Sequence, residues 1–339
     1  MKKLMTISVA ALFILSLAGS ARAAEPLAPV AKYKMPSDVK GRFDHLGVDL
    51  RGNRLFLAAE TAHEVLVFNL RTGRYIRAIT GIGIPHAILC RQDLNRIYIT
   101  DGGAGELKIY DGKSYRLLKS VKLKVDADSI GYDSVTHDLY IDDGGGDAHE
   151  TFSMFSVVNT TTGDKVADTQ IDGDTLEAMA LEKSSPRIYV NNRAKNEISV
   201  IDRATHKLLA SWPVTLGKFN VAMALDEASH RLFIGCRGGQ IVVFDTRTGK
   251  ELQALPIPKG IDDLVFDSAH KRIYAACGSD KGAIAVYQEM DADHYKSLGE
   301  VPSAPGGKNE VLVPQLGRLY ITIPPQATAA GEVYVYKLQ

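Results

Sequence analysis

Short apolar segments alternate with polar turns along the chain, and the segment from Phe43 to Gly73 shows the pattern clearly. It contains an apolar run that ends at Asp49, then the apolar stretches Arg54–Ala58 and Val65–Phe68, and it closes with a Thr-Gly turn. Short runs of β-branched and aromatic residues separated by turn residues are typical of strands in antiparallel hairpins. The segment is therefore predicted to form one antiparallel sheet.

The same block recurs seven times, and each copy has a motif of a charged, an aliphatic and an aromatic residue directly after a turn. The motifs are Arg54-Leu55-Phe56, Arg96-Ile97-Tyr98, Asp138-Leu139-Tyr140, Arg187-Ile188-Tyr189, Arg231-Leu232-Phe233, Arg272-Ile273-Tyr274 and Arg318-Leu319-Tyr320. Their aromatic residues are separated by 42, 42, 49, 44, 41 and 46 positions. A period in the low forties made of short strands indicates an all-β fold, a seven-bladed β-propeller with four antiparallel strands in each blade.

The two chain ends complement each other in this scheme. The seventh repeat stops after its third strand, Val333–Tyr336, because the sequence ends at Gln339. An isolated strand stands near the start of the chain, between Pro26 and Pro36. We expect this strand to complete the last blade and close the ring, which removes an unpaired sheet edge.

The run of Arg-Ile-Tyr and Arg-Leu-Phe motifs, with following strands such as Ile198–Asp202, resembles the YVTN-repeat, YncE-type seven-bladed β-propellers of exported bacterial proteins. The resemblance covers about residues 26–339 and implies the propeller fold. Relatives in this group serve as electron-transfer subunits and binding platforms, so the resemblance transfers no catalytic residue.

The first 23 residues have the features of an export signal. Lys2 and Lys3 precede the apolar stretch Leu4–Ala18, and Ala21-Arg22-Ala23 provides small residues for cleavage. We expect a signal peptide over residues 1–23, one propeller domain over residues 24–339, and a periplasmic or secreted mature protein without stable membrane insertion. A membrane anchor is the alternative, and the short apolar stretch argues against it.

Net charge argues against one class of ligand, and the positions of the cysteines argue against a disulfide. Cleavage removes three basic and no acidic residues from 40 of each, so the mature chain has a small negative net charge that disfavours nucleic acid as its main ligand. Cys236 and Cys277 occupy equivalent positions in neighbouring repeats and should point the same way, so we expect buried free thiols rather than a disulfide.

Polar side chains stand at the start of the first strand in every blade, roughly twelve residues before the motif aromatic. First strands line the channel of a propeller, so these side chains are expected to form a polar ring around its mouth. The ring positions are Asp44, His45, His86, Asp128, Glu177, Asn220, Asp262, Asp263, Asn309 and Glu310. Loops between second and third strands should add His63, Asp101, Asp142, Asp143, Asp147, His149, Asn191, Asn192, Arg193, Arg237 and Asp280.

Imidazole, carboxylate and amide groups that converge from separate strands suit a divalent cation, with His favouring Zn or Cu and oxygen ligands favouring Ca. The expected cofactor is therefore a Ca, Zn or Cu ion, held by Glu177, Asn220 and Asp262. The alternative is a hydrated mouth that holds no metal. If the ring catalyses a reaction, the candidates for proton transfer are His45, His86 and Asp128.

Two functions remain open from the sequence. The first is a monomeric binding protein that takes a small molecule or a periplasmic protein partner at the mouth. Its candidate contacts are Asp44, His45, His63, His86, Asp128, His149, Glu177, Asn192, Asn220, Arg237, Asp262, Asp263 and Asn309. The second is a metal-dependent hydrolase or lyase, similar to lactonase-type propellers, that uses the same ring. Binding is favoured because the sequence offers no evident nucleophile and base pair and no Gly-x-Ser-x-Gly motif.

Overall fold

The computed structural model describes residues 25–327 and 329–339, which form seven four-stranded antiparallel sheets. The first strands of neighbouring sheets contact each other in a closed cycle, so the sheets surround a central channel as the blades of a propeller. The predicted all-β, seven-bladed fold is confirmed. The expected signal peptide lies outside the described residues.

In blades 1 to 6 the strands follow one another in chain order from the channel outward. Blades 1 and 2 consist of β2 (Leu46–Asp49), β3 (Arg54–Ala59), β4 (Glu64–Asn69), β5 (Tyr75–Ile79), β6 (Pro85–Arg91), β7 (Arg96–Asp101), β8 (Glu106–Asp111) and β9 (Leu117–Lys122). Blades 3 and 4 consist of β10 (Ile130–Tyr132), β11 (Asp138–Gly144), β12 (Phe152–Asn159), β13 (Asp164–Asp172), β14 (Leu176–Leu181), β15 (Arg187–Asn192), β16 (Glu197–Asp202) and β17 (Leu208–Pro213). Blades 5 and 6 consist of β18 (Asn220–Asp226), β19 (Arg231–Cys236), β20 (Gln240–Asp245), β21 (Lys250–Pro256), β22 (Ile261–Asp267), β23 (Arg272–Cys277), β24 (Ala283–Asp291) and β25 (His294–Pro302).

Blade 7 combines the two ends of the chain. It consists of β26 (Glu310–Val313), β27 (Arg318–Ile323), β28 (Glu332–Leu338) and, on its outer side, β1 (Leu27–Lys34). Strand β1 pairs with β28 in antiparallel register, from Leu27 opposite Leu338 to Lys34 opposite Glu332. The predicted ring closure is confirmed. The strand lies between Pro26 and Pro36 and contains Pro29 next to a register shift, which suits an edge strand because proline cannot donate a backbone hydrogen bond.

The apolar core is divided into clusters that adjoining blades share. The aromatic residues of the repeated motif are at its centre, and each is at most 1% exposed: Phe56, Tyr98, Tyr140, Tyr189, Phe233, Tyr274 and Tyr320. Cys236 and Cys277 are buried free thiols, as predicted. Within the part of the chain that the structure describes, no helix has the length and apolar character that a membrane crossing requires.

Tyr33 ties the closing strand to blade 1. Its side chain is 5% exposed, and its hydroxyl donates a hydrogen bond of 2.8 Å to the carbonyl of Leu70. Its ring centroid lies 6.1 Å from that of Tyr320 on β27. One side chain on β1 therefore contacts both blades that meet where the ring closes.

Replacing Tyr33 with alanine is expected to lower the free energy of unfolding by about 3–5 kcal/mol, because the change leaves a cavity in this shared core. The control is Val30→Ala on the same strand, whose side chain is 47% exposed and should change stability by less than about 0.5 kcal/mol. Urea unfolding of the two variants measures the difference. An equal loss of unfolding free energy in Tyr33→Ala and Val30→Ala would contradict the role of Tyr33 in closing the ring.

Candidate functional site

A cavity of about 300 Å³ lies at the mouth of the central channel, where the first strands begin. All seven blades contribute side chains, and most of these are charged. The polar members of the lining are Arg42, Asp44, His45, Glu60, His86, Asp126, Asp128, Ser129, Asp147, Asp174, Thr175, Glu177, Arg193, Arg237, Asp262 and Lys308. We call this space the mouth cavity.

Many of the side chains predicted from the sequence do reach the mouth cavity. These are Asp44, His45, His86, Asp128, Glu177, Arg237 and Asp262 from the proposed ligand contacts, together with Asp147 and Arg193 from the loops. The register of the blades accounts for this, because the residue at the start of a first strand faces the channel in most repeats.

Two predicted residues support the lining from behind or from below. Asn309 is 1% exposed, and its side-chain amide donates to Asp44 Oδ1 at 3.2 Å and to Asp262 Oδ2 at 3.1 Å. Asp263 lies deeper in the channel, where its Oδ1 is 3.0 Å from His45 Nδ1. Both therefore position groups that face the cavity.

Four predicted contacts lie outside the lining. Asn220 is fully buried, and its amide donates to the side-chain oxygen of Asn191 at 2.9 Å. Asn192 donates to the carbonyl of Asp172 at 2.9 Å. His63 and His149 have left-handed backbone conformations and end short 3-10 turns. Asn220 therefore does not line the mouth cavity, whereas Glu177 and Asp262, the other two residues expected to hold a metal, do.

Five charged residues of the mouth cavity were not predicted from the sequence: Arg42, Glu60, Asp126, Asp174 and Lys308. Arg42, Asp126 and Lys308 precede the ring position of their blade by only one or two residues, so a wider window at each first strand would have found them. Glu60 lies in a 3-10 turn after β3, and Asp174 lies in the loop before β14. No repeated pattern in the sequence marks these two.

A hydrogen-bonded chain of side chains links the blades around the mouth. His86 Nδ1 lies 2.5 Å from Asp44 Oδ2, and Asn309 connects Asp44 to Asp262. Asp262 in turn pairs with Lys308 Nζ at 2.6 Å and with the guanidinium of Arg237. The chain fixes these side chains relative to one another across five blades.

His45 separates the mouth cavity from the interior of the channel. A further cavity of about 300 Å³ lies below it, lined mainly by apolar side chains of the first strands together with Asp263 and Glu310. The Nδ1 atom of His45 faces Asp263 below, while its Nε2 atom lies 3.6 Å from Asp44 Oδ1 above. The imidazole thus connects the polar mouth with the narrower channel.

Carboxylates around the two imidazoles favour their charged forms. Burial opposes the charge on His45, but Asp263 and Asp44 outweigh this and raise its pKa well above the usual value. Burial opposes the charge on His86 as well, and Asp128 and Asp44 raise its pKa to about 9. The pKa of Asp44 moves the other way: although burial would raise it, the two imidazoles hold it well below its usual range. Asp44 is therefore a carboxylate between two imidazolium groups at neutral pH.

Other carboxyl groups of the cavity hold protons more tightly than usual. Burial and the nearby charge of Asp128 raise the pKa of Glu177 to about 7, against the opposing effect of Arg237. Burial and Asp128 likewise raise the pKa of Asp126 to about 6. Asp128 itself has a raised pKa, caused first by burial, although His86 opposes the shift. The mouth therefore contains acids that can give or accept protons near neutral pH.

One group of side chains in the mouth has the arrangement of metal ligands. A ligand atom from each of Asp44, His45 and Asp128 lies within 4.8 Å of the others. Asp128 Oδ1 is buried and has no hydrogen-bond partner among the described residues. Two carboxylates and one imidazole suit zinc or copper, and binding would require release of the imidazolium proton.

The fold and the mouth cavity define the class of the protein, a seven-bladed β-propeller with a charged channel mouth. No family model matches the sequence. The chain is 27% identical over 113 residues to the uncharacterised protein YncE of Salmonella typhi and, equally, to that of Salmonella typhimurium. The match covers 33% of this chain and spans about a third, 32%, of each relative. The chain is therefore similar to YncE over about a third of its length.

Solved structures agree on the fold. A chain in the crystal structure of the mitotic checkpoint complex superposes with a TM-score of 0.76 at 13% identity, over 99% of both chains. A chain of Kuenenia stuttgartiensis hydrazine synthase gives a TM-score of 0.63 at 14% identity, over 77% of this chain and 84% of the other. At such low identity the likeness concerns the propeller architecture alone.

The shifted pKa values predict that stability falls as the pH rises from 5 to 9. A group with a raised folded-state pKa stabilises the fold fully below its ordinary pKa, and this contribution is lost as the pH rises through the folded-state pKa. The contribution of Glu177 is therefore lost between pH 4.5 and about pH 7, and that of His86 between pH 6.5 and about pH 9. His86 alone should account for a loss on the order of 3 kcal/mol.

Urea unfolding between pH 5 and pH 9 checks this expectation. The variant His86→Gln should show a flatter decline above pH 6.5, since glutamine does not titrate. The matched control is His294→Gln, which changes a histidine whose side chain is 77% exposed on a turn and should leave the profile unaltered. Superimposable profiles for His86→Gln and the unmodified protein would refute the assignment.

Proposed function

We propose that this protein is an exported binding protein, periplasmic or secreted, that recognises a small polar solute at the mouth cavity. The observation that carries the proposal is the cavity of about 300 Å³, lined from all seven blades by charged side chains. Its volume lies at the lower end of the range for small-molecule sites. A site of this size suits a metabolite rather than a folded partner.

The interactions among the lining residues support binding because they orient the side chains before a ligand arrives. Asp262 holds Arg237 and Lys308, and Glu177 holds Arg193 at 2.9 Å. A ligand that meets groups already in position loses less affinity to side-chain ordering. Each arginine uses only part of its donor set in these pairs, so further N–H groups are left for a ligand.

The distribution of charge suggests which chemistry the ligand has. Arg193, Arg237 and Lys308 provide donors for an anionic group. Asp126 and Asp128, with Glu177 nearby, provide acceptors for hydroxyl or ammonium groups. We therefore infer a small solute that carries both an anionic group and hydrogen-bond donors, as amino acids and hydroxy acids do.

A metal-dependent hydrolase or lyase is the second candidate function, and it rests on the convergence of Asp44, His45 and Asp128. A metal bound by these residues would polarise a carbonyl group or activate water. Glu177, with its pKa of about 7, would then be placed to move a proton. Metal analysis of the purified mature protein separates the two candidates: near-stoichiometric zinc or copper that is lost in His45→Gln would favour the enzyme.

Binding can be tested by measuring the melting temperature of the mature protein with a panel of amino acids, hydroxy acids and monosaccharides. At about 100 times its Kd, a ligand should raise the melting temperature by roughly 5 °C. The variant Asp128→Asn should lose this shift, because it removes a carboxylate from the cavity.

The control is Asp172→Asn, which makes the same change at a side chain that is 82% exposed on β13 and should keep the full shift. A panel without any stabilising solute, or a solute that stabilises Asp128→Asn as strongly as the control, would contradict the proposed function.

A further inference from the structure

A second charged cavity, of about 540 Å³, lies between blades 1 and 2 on the face opposite the mouth. Its walls come from the turns that follow β2 and β6 and from the turn between β8 and β9. The mouth is at the other end of the same first strands, roughly 15 Å away at the rise of an extended chain. We call this space the basal cavity, and it shares no lining residue with the mouth cavity.

The basal cavity is strongly basic, in contrast to the mixed charges of the mouth. Its lining contains a single carboxylate, Asp49. Five cationic side chains surround the same space: Arg51, Arg54, Arg91, Arg96 and Lys113. Like charges gathered around a concave surface raise the local concentration of counter-ions.

Ion pairs neutralise only part of this charge. Asp49 accepts from Arg54 Nε at 2.9 Å and pairs with its Nη2 at 2.5 Å. Arg91 pairs with Asp93 at 2.6 Å. Three cations have no carboxylate partner among the described residues: Arg51, Arg96 and Lys113.

Arg54 and Arg96 belong to the repeated motif, whereas the repeated sequence shows that the scaffold does not require Arg91 and Arg51. Arg91 ends β6, seven residues before the motif aromatic, and five other blades have an acid at this position: Asp49, Asp133, Glu182, Asp226 and Asp267. In blade 1 the acid closes the turn, because Asp49 accepts from the Gly52 backbone N–H at 2.9 Å. Arg51 stands two residues after Asp49, and no other blade has a cationic residue at the equivalent position. Both departures from the repeat add positive charge to the same cavity.

We propose that the basal cavity binds a small polyanion, a molecule with clustered phosphate or carboxylate groups. Guanidinium groups match the geometry of such oxyanions through paired N–H donors. The amides of Gln92 and Asn95 line the same wall and add neutral hydrogen-bonding groups. The volume is in the range of small-molecule sites, and the concave shape favours a compact ligand over an extended polymer.

Isothermal titration calorimetry of the mature protein with pyrophosphate and with citrate, at low ionic strength, tests this proposal. The two anions distinguish phosphate from carboxylate recognition, and binding of either supports the proposed class. The double variant Arg51→Ala/Lys113→Ala should weaken binding at least about tenfold, since it removes two cations that no carboxylate neutralises. Added salt should weaken binding to the unmodified protein.

The matched control is Lys183→Ala/Lys207→Ala. It removes two exposed lysines from blade 4, where Lys183 lies in the turn between β14 and β15 and Lys207 lies directly before β17. This control should bind pyrophosphate or citrate as the unmodified protein does. The proposal is overturned if neither anion binds with a Kd below about 10 mM, or if both double variants bind equally. Binding of heparin without either small anion would overturn it too, because that result indicates an extended basic surface.

Discussion

Closure of the ring by the pairing of β1 with β28 is the constraint on which the rest of the structure depends. It brings blade 7 against blade 1, where Tyr33 packs into their shared core. The mouth cavity lies across the same junction, because Asn309 of blade 7 donates to Asp44 of blade 1. The side chains that organise the mouth are therefore adjacent only in the closed ring, and the stability of the fold and the geometry of the site are linked.

Charge is distributed differently on the two faces of the propeller. At the mouth, Asp44 lies between His45 and His86, so that these opposite charges offset each other's desolvation. At the basal cavity, Arg51, Arg96 and Lys113 have no carboxylate partner among the described residues. One scaffold can present both surfaces because strand starts and strand ends face opposite sides of the ring.

The repeat period predicted the number of blades, the pairing of the chain ends and the ring positions that face the channel. It could not predict which of these side chains line the cavity and which form hydrogen bonds to other buried side chains instead. Asn220 occupies a ring position but bonds to Asn191, and this choice depends on a neighbouring strand that the local sequence does not reveal. Lys308 stands one residue before its ring position, but its pairing with Asp262 joins residues of different blades. Long-range pairs of this kind follow from the three-dimensional register of the blades.

The mouth is a preorganised site in which Asp44 is held between two imidazolium groups. Nitrogen NMR of the histidine side chains in the protein without residues 1–23 measures their protonation, with His45→Gln and His86→Gln to assign the signals. Both rings should be protonated at pH 7.5, because the neighbouring carboxylates raise their pKa values. Neutral rings at His45 and His86 at that pH would contradict it.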